Sequence, residues 1–197
     1  MKKGGITAYF SINSPVILGL TFLSLIILLG NYITKGFLNS ILAIRYTSFL
    51  DPFMYLRLFT HVIAHQDLAH FTGNFLLILA VGPMVEEKYG SRTLLIMICI
   101  TAVITGLVNI LFFRNIMLIG ASGLVFMLIL LASFTNISVR KIPITVLLVG
   151  ILYIGNEIIS GIAADDNISQ ISHIIGGLCG GAFGFFIHKD KFNLYKK

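Results

Sequence analysis

The sequence predicts an all-α membrane protein: a bundle of six transmembrane helices with one long membrane-associated loop after the first. Three observations predict it. Hydrophobic residues are 57% of the 197, and mean hydropathy is +0.96. Charged residues are only 11%, where a soluble domain carries about 25%. The charges also fall at intervals that leave apolar runs long enough for spanning helices of about 17 to 25 residues.

The first predicted helix, 14–33, lies in the charge-free run between Lys3 and Lys35. Lys2 and Lys3 before an apolar run resemble a signal peptide, but the run is long and no clear small-x-small cleavage site follows, so the helix is read as retained. Residues 34–67 form the long loop. Phe49-Leu50-Asp51-Pro52-Phe53-Met54-Tyr55-Leu56-Arg57-Leu58-Phe59 is too apolar and aromatic for a solvated linker, and is expected to lie against the outer interface. The second helix, 68–86, is bounded by Asp67 and Glu86, and the third, 93–113, by Arg92 and Arg114. The fourth, 119–138, ends before Arg140. The fifth, 142–161, is interrupted only by Glu157, and the sixth, 168–188, runs from Asp166 to Lys189. These spans leave no room for a soluble domain, so residues 1–197 read as one membrane domain. Cys99 and Cys179 sit in apolar runs, which suits buried thiols better than a disulfide.

The net charge of +6 is not a nucleic-acid signal, because the basic residues alternate by loop. With the N-terminus inside, ten fall on the inner side (Lys2, Lys3, Lys88, Arg92, Arg140, Lys141, Lys189, Lys191, Lys196, Lys197). Four (Lys35, Arg45, Arg57, Arg114) fall outside. That bias places both termini in the cytoplasm.

Within this apolar frame a few polar residues stand out, since lipid penalises polar groups that lack partners. Ser122 sits in Gly120-Ala121-Ser122-Gly123, and His173 in another apolar stretch. Asn74 lies seven residues after Asp67, Ser122 eight after Arg114, and His173 seven after Asp166. At about 1.5 Å per helical residue, all three reach a common depth some 10 Å below the outer face. His173 is followed by Gly176, Gly177, Gly180 and Gly181, a face that allows close helix packing. Gly120 and Gly123 permit tight turns beside Ser122, and free N–H groups at a helix N-terminus favour a developing anion. Phe126, one turn on, is placed to pack on the His173 ring. His70 and Asn74 share a helix face and offer donors for an oxyanion. Each residue also has a plain structural use: a serine bonding its own helix backbone, a glycine seam, an interhelical hydrogen bond. His61, His65 and His70 do not make a closed zinc ligand set, so no metal is expected. No carboxylate matches His173 in depth, which points to a Ser-His dyad.

These motifs closely resemble the rhomboid family of intramembrane serine proteases. The resemblance rests on Arg57-Leu58-Phe59-Thr60-His61, His65, His70-Phe71-Thr72-Gly73-Asn74, then Gly82, Glu86 and Gly90. Gly120-Ala121-Ser122-Gly123 and His173 with Gly176 and Gly180 complete it. It implies a six-helix bundle of the minimal bacterial type, in a bacterial plasma membrane with the active site toward the outer face. It also implies Ser122 as nucleophile and His173 as general base. His70, Asn74 and the Ser122 backbone N–H form the oxyanion hole, supported by Gly120, Gly123, Phe126, Gly176 and Gly180. Substrates are transmembrane segments of other membrane proteins, single-span ones included, cleaved by way of an acyl-enzyme. The family needs no cofactor, and helix five with the last loop resembles its substrate gate. Two positions depart from the family pattern: Phe126 stands where tyrosine is common, and Leu56 where tryptophan often precedes the arginine. An inactive client-binding relative would lack Ser122 or His173, and both are present. A transporter would continue its polar residues inward, whereas Leu128-Ile129-Leu130-Leu131 and Ala182-Phe183-Gly184-Phe185-Phe186 are dry.

Overall fold

The computed structural model describes residues 12–134, 144, 148, 151–152 and 167–193. Among them the chain is helical, and its only β-structure is one antiparallel bridge between Ile44 and Leu118. The helices are α1 (Pro15–Ile33), α2 (Phe37–Leu42), α3 (Pro52–Thr60), α4 (Leu68–Tyr89), α5 (Ser91–Phe112), α6 (Ser122–Ser133) and α7 (Asn167–Asn193). A single 3-10 turn, His61–Ile63, follows α3. Helices α1, α4, α5 and the Gln170–Ile187 part of α7 are long and apolar enough to cross a membrane. Their outward faces carry residues such as Phe22, Ile26, Leu76, Ile96 and Phe186, all exposed, which suits hydrocarbon.

Local chemistry sets the helix ends. Proline opens α1 and α3, where its missing N–H costs nothing. The Asp67 carboxylate caps α4 by accepting from the His70 N–H at 2.8 Å. Gly90, at φ +83°, turns the chain from α4 into α5 in one residue. Buried Glu86 near that corner accepts from the Val16 and Ile17 N–H groups at 3.0 Å each and from Ser91 Oγ at 2.7 Å. One carboxylate thus satisfies orphan amides of α1 and ties it to α4 and α5.

The predicted fourth helix is corrected at its start. It was expected over 119–138, but α6 covers only Ser122–Ser133, 12 residues or about 18 Å, and residues 135–138 lie outside the described range. Except for Ile129, every residue from Gly123 to Leu131 is buried, so α6 is the central helix, packed against α4, α5 and α7. It is too short to span, and the chain reaches its start by a non-helical path. Residues 34–67 are likewise more ordered than a loop. They hold α2, α3 and the 3-10 turn, with Met54 and Leu58 buried beneath α3 while Phe49, Leu50, Phe53, Leu56 and Phe59 stay exposed. Of the predicted helix 142–161, Ile144, Leu148, Ile151 and Leu152 are helical and exposed along one face. Its other residues, Glu157 and Asn156 among them, lie outside the described residues, as does 162–166.

Candidate active site

The site is built around the first residue of α6. After α5 ends, the chain is gripped from the side: Ile44 and Leu118 exchange backbone hydrogen bonds of 3.1 and 2.9 Å. Asn109 Nδ2 donates to the carbonyls of Ile116 at 3.0 Å and Ile44 at 3.4 Å. The turn before the helix then passes through Gly120 at φ +113°, a conformation L residues rarely adopt. A Cβ there would lie 2.6 Å from Cε1 and Nε2 of His70, so a side chain at this position would have to displace the His70 ring. The Gly120 N–H donates to the His61 carbonyl at 2.9 Å, and the Ala121 N–H donates to His65 Nε2 at 3.3 Å. Helix α6 begins at the next residue, and its first accepting carbonyl is that of Ala121, bonded by Leu124 and Val125. The Ser122 N–H, which follows the Gly120 and Ala121 amides, donates to no protein acceptor among the described residues.

Ser122 borders a cavity of about 230 Å³, lined also by His70, Asn74 and Leu77 of α4, Val125 and Phe126 of α6, and His173 of α7. The residues from α4 follow i, i+4, i+7 spacing and those from α6 follow i, i+3, i+4, so each helix offers one face. Asn74 is only 7% exposed, and its Nδ2 has no hydrogen-bond acceptor among the described residues. Phe126 and His173 stack with ring centroids 4.2 Å apart and planes 12° from parallel. Leu77 and Val125 join the predicted residues as apolar walls.

Close packing of α6 on α7 makes the cavity possible. A Cβ on Gly176 would fall on the Gly123 carbonyl, and one on Gly180 on the Met127 carbonyl. These two glycines are one turn apart and match residues one turn apart on α6. The predicted glycine face is narrower than its sequence suggests. Gly177 meets only Leu130 at ordinary distance, and Gly181 has nothing within 4 Å.

His61 and His65 stand behind the turn. His61 bridges the Arg57 carbonyl at 3.1 Å and the Thr105 hydroxyl at 3.4 Å. Burial holds its imidazole neutral, pushing its pKa down to about 4. His65 is likewise lowered to about 4, first by burial and then by neighbouring His70, against a smaller opposing effect of the Ile63 backbone. Neither ring is directed to a ligand set, and among the described residues no group of three His, Cys, Asp or Glu side chains is arranged to hold a metal ion.

Sequence reasoning does not single out Thr101, Thr105 or Asn109, all buried on α5. Their signal was present: three polar residues at i, i+4 and i+8 in an otherwise apolar span make one stripe. That stripe faces inward, carrying Thr105 to His61 and Asn109 to the segment before Ser122.

Residues 52–190 match the Rhomboid domain family model. Over 132 residues the chain is 34% identical to Rhomboid protease GluP of Bacillus subtilis (strain 168), a match covering 64% of this chain and 25% of that protein. The matched part therefore spans about a quarter of that relative's length.

Proposed function

The chain belongs to the rhomboid family of membrane proteases, and from that premise we propose that it is an intramembrane serine endopeptidase using a Ser122–His173 dyad. The observation that carries this reading is the shared cavity, in which Ser122, His173, His70 and Asn74 meet from three helices. Ser122 Oγ attacks the scissile carbonyl while His173 takes its proton. The carbonyl oxygen becomes an oxyanion, met by the Ser122 N–H and by donors on His70 and Asn74. His173 then returns the proton to the leaving amine, and an acyl-enzyme remains on Ser122. Water, deprotonated by His173, releases the second product. The unpartnered Asn74 amide suits this role: a buried donor without an acceptor is costly unless a reacting group supplies one.

The substrate is a transmembrane segment of another membrane protein, cleaved near its outer end within the bilayer. We place six helices in the membrane, with residues 1–197 as one rhomboid domain, both termini cytoplasmic and the cavity toward the outer face of a bacterial plasma membrane. The exposed aromatic residues around α3 support an interfacial seat for residues 34–67. Neither cofactor nor metal enters the mechanism. The test is cleavage of a panel of single-span proteins in liposomes. Wild type should cleave at least one and be labelled at Ser122 by a fluorophosphonate, and Ser122→Ala should do neither. Proteolysis by Ser122→Ala would overturn the assignment.

A further inference from the structure

We propose that His65 is a positioning residue for this reaction, its imidazole gripping the peptide before the nucleophile on one side and bracing the His70 ring on the other. The inference rests on the reading of Ser122 and His70 given above. His65 is fully buried and outside the cavity lining, so it touches no substrate. Its Nε2 accepts from the Ala121 N–H at 3.3 Å. Its ring meets His70 edge-on, with centroids 5.1 Å apart. Two elements far apart in sequence, the start of α6 and the outer end of α4, are thereby held in register by one ring.

The backbone direction explains what the grip does. With the Gly120 amide committed to the His61 carbonyl and the Ala121 amide to His65 Nε2, the two peptide planes that lead up to Ala121 have little freedom to rotate, and the Ala121 carbonyl on the Ser122 side accepts from Leu124 and Val125. The next amide, that of Ser122, is left without an acceptor among the described residues. On the other face, His65 limits the rotation of His70, whose ring lies against Gly120. His65 is itself fixed: Asn39 Nδ2 donates to its carbonyl at 2.8 Å, and Phe71 and Phe75 pack on its ring at 5.6 and 5.5 Å.

For stability, an imidazole here has opposing effects. Accepting at Nε2 leaves the proton of the neutral ring on Nδ1, which is buried and, among the described residues, meets only the Ile63 backbone, without a well-formed hydrogen bond. Phenylalanine would keep the aromatic contacts and remove that orphan donor, while leaving the Ala121 N–H unsatisfied instead. The two changes oppose each other in stability, whereas only one releases the Gly120–Ala121 peptide that leads into the nucleophile. Activity and stability should therefore separate at this residue.

The experiment uses the full chain in liposomes with a single-span substrate that wild type cleaves. It measures kcat, KM, the fluorophosphonate labelling rate of Ser122 and the thermal midpoint for His65→Gln and His65→Phe. Glutamine carries an acceptor to the position of Nε2; phenylalanine carries only a ring. His65→Phe should lose on the order of 10- to 100-fold in kcat, the scale of a small misplacement of reacting groups, with labelling slowed in parallel and KM little changed. His65→Gln should stay within a few-fold of wild type. Leu28→Ala, a core truncation in α1, controls for stability loss and should keep kcat at a temperature below its midpoint. If His65→Phe does not fold, His65→Asn replaces it, because its shorter amide cannot reach the Ala121 N–H. Equal rates for Gln and the second variant, or losses that track the thermal midpoint as in Leu28→Ala, overturn the proposal alone. A wild-type protein that neither cleaves nor labels at Ser122 overturns the underlying protease reading, and this inference with it.

Discussion

The rings of Phe126 and His173 stack face to face at 4.2 Å, joining α6 to α7 across the floor of the cavity. A stacked pair contributes about 0.5–1.5 kcal/mol beyond area burial, enough to bias the imidazole toward one orientation. The phenyl ring does this without the hydroxyl that tyrosine would bring. Phe126→Leu should therefore lower kcat by roughly 3- to 10-fold, following the usual conversion of about 1.4 kcal/mol per decade, and Phe126→Tyr should keep it. Wild-type kcat in Phe126→Leu would show that α7 alone orients His173.

Asn74 contributes a buried amide with no acceptor among the described residues. Asn74→Ala should lower kcat by about 10²–10³-fold with little change in KM, the range for loss of an oxyanion donor. His70→Ala should act in the same direction. The double variant should lose less than the product of the two, because both donors serve one oxygen. A change confined to KM would make Asn74 a substrate-binding residue instead.

Gly176 and Gly180 meet backbone carbonyls of α6, whereas Gly181 meets nothing within 4 Å. Gly176→Ala and Gly180→Ala should each destabilise the protein by about 1–3 kcal/mol or more, since neither a helix backbone nor a carbonyl can move aside cheaply. Gly181→Ala should be neutral or slightly stabilising, from its better helix propensity. Thermal midpoints in detergent separate the two cases. Equal effects at all three positions would refute the narrow seam.

His61 and His65 are held neutral, with pKa values lowered from 6.5 to about 4. Between those pH values the unfolded chain binds protons that the folded chain does not, so stability rises with pH across the window. It is therefore lost as pH falls from about 6.5 to 4, with a limit on the order of 3 kcal/mol for each imidazole. The thermal midpoint should drop across this range, and more steeply in wild type than in His61→Gln or His65→Gln. Identical slopes in all three would mean that neither ring titrates with unfolding.

Much of the architecture was legible in the chain. The runs containing α1, α4, α5 and α7 are recognisable from apolar length alone, because a bilayer tests each segment independently of its neighbours. The predicted boundaries of α4 and α5 fall within three residues of those observed. Helix α6 was harder. An apolar run of spanning length hides a helix of only 12 residues, since hydropathy does not distinguish a segment that faces lipid from one buried among other helices.

The sequence by itself determined the membrane class, and it marked Ser122, His173, His70 and Asn74 as polar residues needing a reason in apolar spans. Composition and rare polar groups are local properties, and they survive without knowledge of contacts. Only the tertiary structure decided where α6 begins, which glycines touch another backbone, and what His61, His65 and Asn109 do. His65 reaches Ala121 across 56 residues of sequence, and Asn109 reaches Ile44 across 65. Hydrogen bonds over such separations have no local signature. They exist because folding brings a buried amide and a buried acceptor together where neither can turn to water, and each must take the other as partner.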